Sequence, residues 1–195
     1  MSANAADPRA LVAVWIEAAQ RGDIRRALAE VHKEIARDVS ARAPVCAQSG
    51  RCCRFDEYGH RLYATGLEAA ATLLGAGLVG RASGADAGGP ARGTGVTLPV
   101  LGSGDGADAR RVGAGAPGAC PLLIGRSCGV HEHRPAGCRV FYCDESWAPA
   151  MSAVGERAAG RVRAIHDRFG VPYRYMEWRG LLCLYGVGAP GAPTS

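Results

Sequence analysis

Seven of the eight cysteines in this chain fall in two short windows, and that clustering constrains the fold more than any other feature. The first window is Cys46-Ala47-Gln48-Ser49-Gly50-Arg51-Cys52-Cys53. The second carries Cys120, Cys128, Cys138 and Cys143, separated by seven, nine and four intervening residues. Thiols packed this densely beside glycine, proline and arginine do not read as scattered core residues. Structural disulfides fit no better. No early segment joins a basic start, an apolar run and a small-residue cleavage site, which places the chain in the reducing cytoplasm, and the adjacent pair Cys52-Cys53 suits a simple disulfide framework poorly. Thiolate is a soft ligand suited to zinc and to iron–sulfur clusters, so metal ligation is the expectation. The fold must then bring the two windows together.

The rest of the composition narrows the field. A chain of 195 residues, 48% of them hydrophobic, supports one domain with a real core. Its apolar stretches fall well short of the roughly 20 residues needed to span a bilayer, so no membrane partner is expected. The formal charge of +5 comes from 23 basic residues, mostly arginines scattered without a block or interleaved aromatics, so no nucleic-acid partner is expected either. Arg51, Arg54, Arg126, Arg134 and Arg139 stand beside the cysteines, where they can offset thiolate charge.

The expected fold class is mainly α: a small helical domain with short β hairpins packed around a Cys-rich metal site. Residues 1–44 read as an N-terminal helical scaffold. Asp7-Pro8 opens a first helix that ends near Gly22; Asp23 caps a second, whose apolar stripe runs from Ile24 to Val39 before Pro44. Residues 45–185 read as the cysteine-cluster domain. Within it, Thr65-Gly66-Leu67-Glu68 fits a capping box for a helix through about Leu74, and 75–118 is a Gly/Ala-rich flexible insertion in which only 96–101 offers a short strand. The stretch from Cys120 to Cys143 suggests tight turns, followed by helices over 149–169 and about 173–184. The tail, 186–195, reads as disordered.

The motif Cys-Ala-Gln-Ser-Gly-Arg-Cys-Cys, followed after a long gap by Cys-Pro-Leu-Leu and Cys-Gly-Val-His-Glu-His-Arg-Pro-Ala-Gly-Cys-Arg-Val-Phe-Tyr-Cys, resembles the YkgJ-type cysteine-cluster family. The resemblance covers about 46–143 without the Gly-rich middle, and extends weakly to 173–178. It implies a zinc- or iron-chelating domain, with Cys46, Cys52, Cys53, Cys120, Cys128, Cys138 and Cys143 as metal residues; flagellin lysine-N-methylases carry a similar cluster. Where that family has a further cysteine, this chain has Ser49, a poor replacement on a soft metal. Seven thiols exceed the four of a closed zinc site, which tilts the reading toward an iron–sulfur cluster, with zinc the alternative.

The expected function is therefore metal binding, of iron in a cluster or of zinc, in a redox or metal-handling role. The alternatives are a zinc-stabilised structural or interaction module and, from the resemblance alone, a protein-lysine methyltransferase-like enzyme. His131 and His133 could complete a mixed Cys/His site, but the thiolates already suffice, so they read as surface or hydrogen-bonding residues. Cys183, among leucines, reads as core. Gly75-Ala76-Gly77-Leu78-Val79-Gly80 has the letters of a dinucleotide fingerprint without a preceding strand, and reads as a helix terminus. Tyr173, Tyr175 and Trp178 read as packing residues, with Glu177 in solvent.

Overall fold

The computed structural model describes residues 7–47, 49–80 and 117–188, so the strand expected at 96–101 and most of both the insertion and the tail lie outside the described residues. The described chain is mainly helical. Helices α1 (Pro8–Gln20) and α2 (Gly22–Arg42) are followed by a 3-10 turn (Arg51–Cys53), the short α3 (Phe55–Tyr58), strand β1 (Tyr63–Thr65) and α4 (Gly66–Gly75). Strands β2 (Leu123–Ile124) and β3 (Ser127–Cys128), a 3-10 turn (His131–His133), α5 (Ala136–Val140), a further 3-10 turn (Glu145–Trp147) and α6 (Ala148–Phe169) come next. Strand β4 (Tyr175–Glu177) and α7 (Trp178–Leu184) complete the order. No described helix is long and apolar enough to cross a membrane.

Local chemistry accounts for most helix ends. Asp7 accepts from the Arg9 N–H at 3.0 Å, with Pro8 opening α1. The Thr65 box is complete: its hydroxyl accepts from the Glu68 N–H, while the Glu68 carboxylate accepts from the Thr65 N–H at 2.9 Å. Gly170, at φ 65°, stops α6 in the left-handed region that glycine tolerates. At α2 the expected cap moves: Arg21 holds the N-cap position without a side-chain bond, and Asp23 sits in the first turn, accepting from the Ile24 N–H at 2.9 Å.

The expected helix over 173–184 is shorter than its periodicity suggests, because its first part is a strand. Tyr175, Met176 and Glu177 pair antiparallel with Thr65, Ala64 and Tyr63, leaving the helix to start at Trp178. Alternating aromatics suit a strand. Glu177 is not in solvent either: it is buried, caps α7 by accepting from the Gly180 N–H at 3.0 Å, and pairs with Arg179. Among the described residues only β2 and β3 form a hairpin, turning at Gly125.

One core holds the helices together. Trp15 of α1, Leu67 and Leu73 of α4, and Leu181, Leu182 and Tyr185 at the C-terminal end are all essentially inaccessible to solvent. The Trp15 indole donates to the Pro172 carbonyl at 2.8 Å, and the Tyr185 hydroxyl donates to that of Gly66 at 2.7 Å. Across the other side α2 lies along α6, with ion pairs Arg157–Asp38 and Arg161–Glu34. Such exposed pairs contribute little; the apolar contact beneath them dominates.

Gly66 is required by this packing. A Cβ there would stand 2.3 Å from the Trp15 ring, which is fully buried and tethered at its indole nitrogen. Gly66→Ala should therefore cost about 3 kcal/mol despite the better helix propensity of alanine, which is worth only about 1 kcal/mol. Urea unfolding would register this as a lower midpoint at unchanged slope, and wild-type stability would mean that the ring has room to retreat.

Candidate metal centre

The two cysteine windows meet at one cavity of about 320 Å³, which Cys46, Cys52, Cys53, Cys120, Cys128, Cys138 and Cys143 all line. Each arrives on its own piece of structure. Cys46 lies in the extended run after α2, and Cys52 and Cys53 form the 3-10 turn entered through Gly50. Cys120 immediately precedes the β2–β3 hairpin, Cys128 ends β3, and Cys138 sits on α5. The second window is thus built of a hairpin and a short helix where tight turns were expected. Cys143 follows α5.

Backbone contacts clamp the windows together. The Cys120 N–H donates to the Cys53 carbonyl at 2.7 Å, and the Asp56 N–H to that of Gly118 at 3.2 Å. Gly50, at φ 74°, comes so close to the Arg126 backbone that a Cβ would meet its carbonyl oxygen at 3.1 Å. Behind them Arg179, almost fully buried, bonds Asp56, Glu177 and the Gly118 carbonyl. Sequence reasoning missed this arginine, which binds the segment after Cys53 and the segment before Cys120 to α7; its only local signal is a charge inside an apolar run.

The sulfurs interact directly. Cys52 Sγ and Cys53 Sγ are 3.9 Å apart, and Cys53 shares the cavity lining with Cys120 and Cys128. Its neighbours Cys120, Cys128 and Cys52, in that order, together with burial push the Cys53 thiol up. Cys52 and Cys128 move the other way: the adjacent Cys53 thiol brings Cys52 down to about 6 and Cys128 down to about 7. Arg134 lowers both further, and the Val130 N–H facing its sulfur also lowers Cys128. Burial pushes the Cys138 thiol well up, and the neighbouring sulfurs of Cys120 and Cys128 add to it. Burial raises Cys143 as well.

The flanking arginines divide their roles. Arg134 and Arg126 line the cavity, and Arg134 donates to the His131 carbonyl at 3.0 Å and to the Cys138 carbonyl. Arg139 donates to the carbonyls of Arg134 and Glu132, so it braces the loop instead of facing the thiols. Arg51 lies over the Tyr58 ring, and Arg54 pairs with Glu57. His131 reaches the cavity wall; His133 is turned toward Gly75 on another face. Ser49 lies at the rim, its hydroxyl 3.4 Å from the Arg51 N–H that donates to it, as a turn residue. Cys183 is half-buried on α7, outside the cavity lining.

Among the described residues, no group of three or more His, Cys, Asp or Glu side chains is gathered closely enough to hold a metal ion as the side chains stand. The donor set nevertheless fits a soft metal. Two thiolates on one tetrahedral zinc at about 2.3 Å lie about 3.8 Å apart, and Cys52 and Cys53 are already at 3.9 Å. Arg134, in the same cavity lining, supplies a positive charge that favours the thiolate form of Cys52 and Cys128. No known protein family matches this chain, and neither does any curated protein or solved structure.

Proposed function

We propose that this chain is a metal-binding protein of the cytoplasm that holds iron, as an iron–sulfur cluster, or zinc in the cysteine cavity, with a redox or metal-handling role. The observation that carries this reading is the convergence of seven thiols from two distant windows on one cavity. Clustering thiols is costly unless something is bound, because their ionised forms repel each other. The resemblance of the motif to the YkgJ-type cysteine-cluster family supports the same reading, and so do Arg126 and Arg134 in the cavity lining. A thiol supply beyond four favours a cluster; the Cys52–Cys53 separation suits a single zinc in a structural module. When bound, a cluster supplies one-electron chemistry and zinc supplies a crosslink between the windows.

Anaerobic purification followed by assay of iron, zinc and acid-labile sulfide per chain tests this. Brown protein with matched iron and sulfide is the result expected of a cluster, and colourless protein with about one zinc that of the structural module. Protein that carries neither metal and takes up neither on reconstitution would refute the reading.

A further inference from the structure

The seven thiols are not equivalent in depth. Cys53 and Cys120 are buried, Cys52, Cys128 and Cys138 are half-buried, and Cys46 and Cys143 are exposed. The exposed pair is held in place by built structure. The Val45 N–H, next to Cys46, donates to the carboxylate of Asp144, next to Cys143, at 2.8 Å. Asp144 is itself fixed by the Ser146 N–H at 2.9 Å and hydroxyl at 2.6 Å, at the start of the turn that buries Trp147. Cys143 lines the same cavity as the inner Cys52 and Cys53. The cavity is therefore lined by sulfur at every depth, from exposed Cys46 and Cys143 through half-buried Cys52 to buried Cys53.

We propose that Cys46 and Cys143 form an exchange port, through which a thiophilic divalent cation passes between the inner thiols and a thiol-bearing donor or acceptor outside. The inference rests on the cavity being a metal centre, and adds a division of labour within it. Thiolates displace one another on such cations associatively, so the incoming sulfur must reach the ion before the outgoing one leaves. A bulky donor cannot reach Cys53 or Cys120 directly, whereas it can reach an exposed pair. In each step the bond from the cation to the donor sulfur breaks as the bond to Cys143 or Cys46 forms; the cysteine thiol releases its proton to solvent, and the departing sulfur takes one up. The oxidation state of the cation does not change.

The test uses the full chain loaded with zinc, with a small chelating dithiol as the acceptor. The Cys46→Ser/Cys143→Ser variant should release the zinc it holds at least tenfold more slowly than wild type. Asp144→Ala, with every thiol intact, should also slow release, and Asp144→Asn, which keeps an acceptor oxygen for the Val45 N–H, should restore it. Full zinc content with an unchanged rate overturns the port. Loss of zinc from the double variant also overturns it, because the outer pair would then be holders. A wild-type chain that takes up neither zinc nor iron fails one level earlier and removes the metal-centre reading itself.

Discussion

Glu68→Ala should destabilise the chain by about 4 kcal/mol, among the largest effects of any single replacement outside the cysteines. Glu68 is buried, and its carboxylate accepts from the Thr65 N–H at 2.9 Å, the Thr65 hydroxyl at 3.0 Å and the Ala136 N–H at 3.0 Å. Removing it strands those donors away from water, at about 1–3 kcal/mol for each that finds no other partner. The same carboxylate ties the start of α4 to the start of α5, the helix that carries Cys138. The damage should therefore reach the cavity, and equilibrium urea unfolding measures it. Stability within about 1 kcal/mol of wild type would mean that water replaces the lost acceptor.

Glu68 also carries a pH signature. Burial pushes its carboxyl above the ordinary 4.5, against the three donated bonds that pull it down. A carboxyl raised in the fold binds its proton more tightly there than in the unfolded chain. Its contribution is then fully present below the ordinary carboxylate range and is lost as pH rises through the folded value. Glu68→Gln should flatten that part of the stability profile.

Local signals made much of this fold legible. Asp7-Pro8, the Thr65–Glu68 box and Gly170 each act within one helical turn, and each stands where its spacing implies. The turn of 175–177 into a strand was not legible, because its partner Tyr63–Thr65 lies far back in the chain and pairing depends on tertiary contact. Glu177 was misread for the same reason: it is buried where its strand pairs with Tyr63–Thr65, and it pairs there with Arg179, which also binds the distant Asp56. At the site, the clustering of cysteines in two windows anticipated that they meet at one cavity, but composition carries no depth. The split between buried Cys53 and Cys120 and exposed Cys46 and Cys143 emerges only from the packing.

Cys53→Ser and Cys138→Ser should each strip the cavity of its metal, and this is the second large effect. Cys53 lies 3.9 Å from Cys52 at the sulfurs, and Cys53 and Cys138 both line the cavity with Cys120 and Cys128, so serine at either position removes a soft donor from the group. If metal binding holds the two windows together, a thousandfold loss of affinity corresponds to about 4 kcal/mol of stability. Cys183→Ser, outside the cavity, should keep its metal and show only a modest packing loss. The measurement that bears most directly on the shared site is metal per chain across this series, in protein prepared without oxygen. The account predicts that iron or zinc falls below about one tenth of wild type in both Cys53→Ser and Cys138→Ser and is unchanged in Cys183→Ser. Full metal content in both of the first two variants would contradict it.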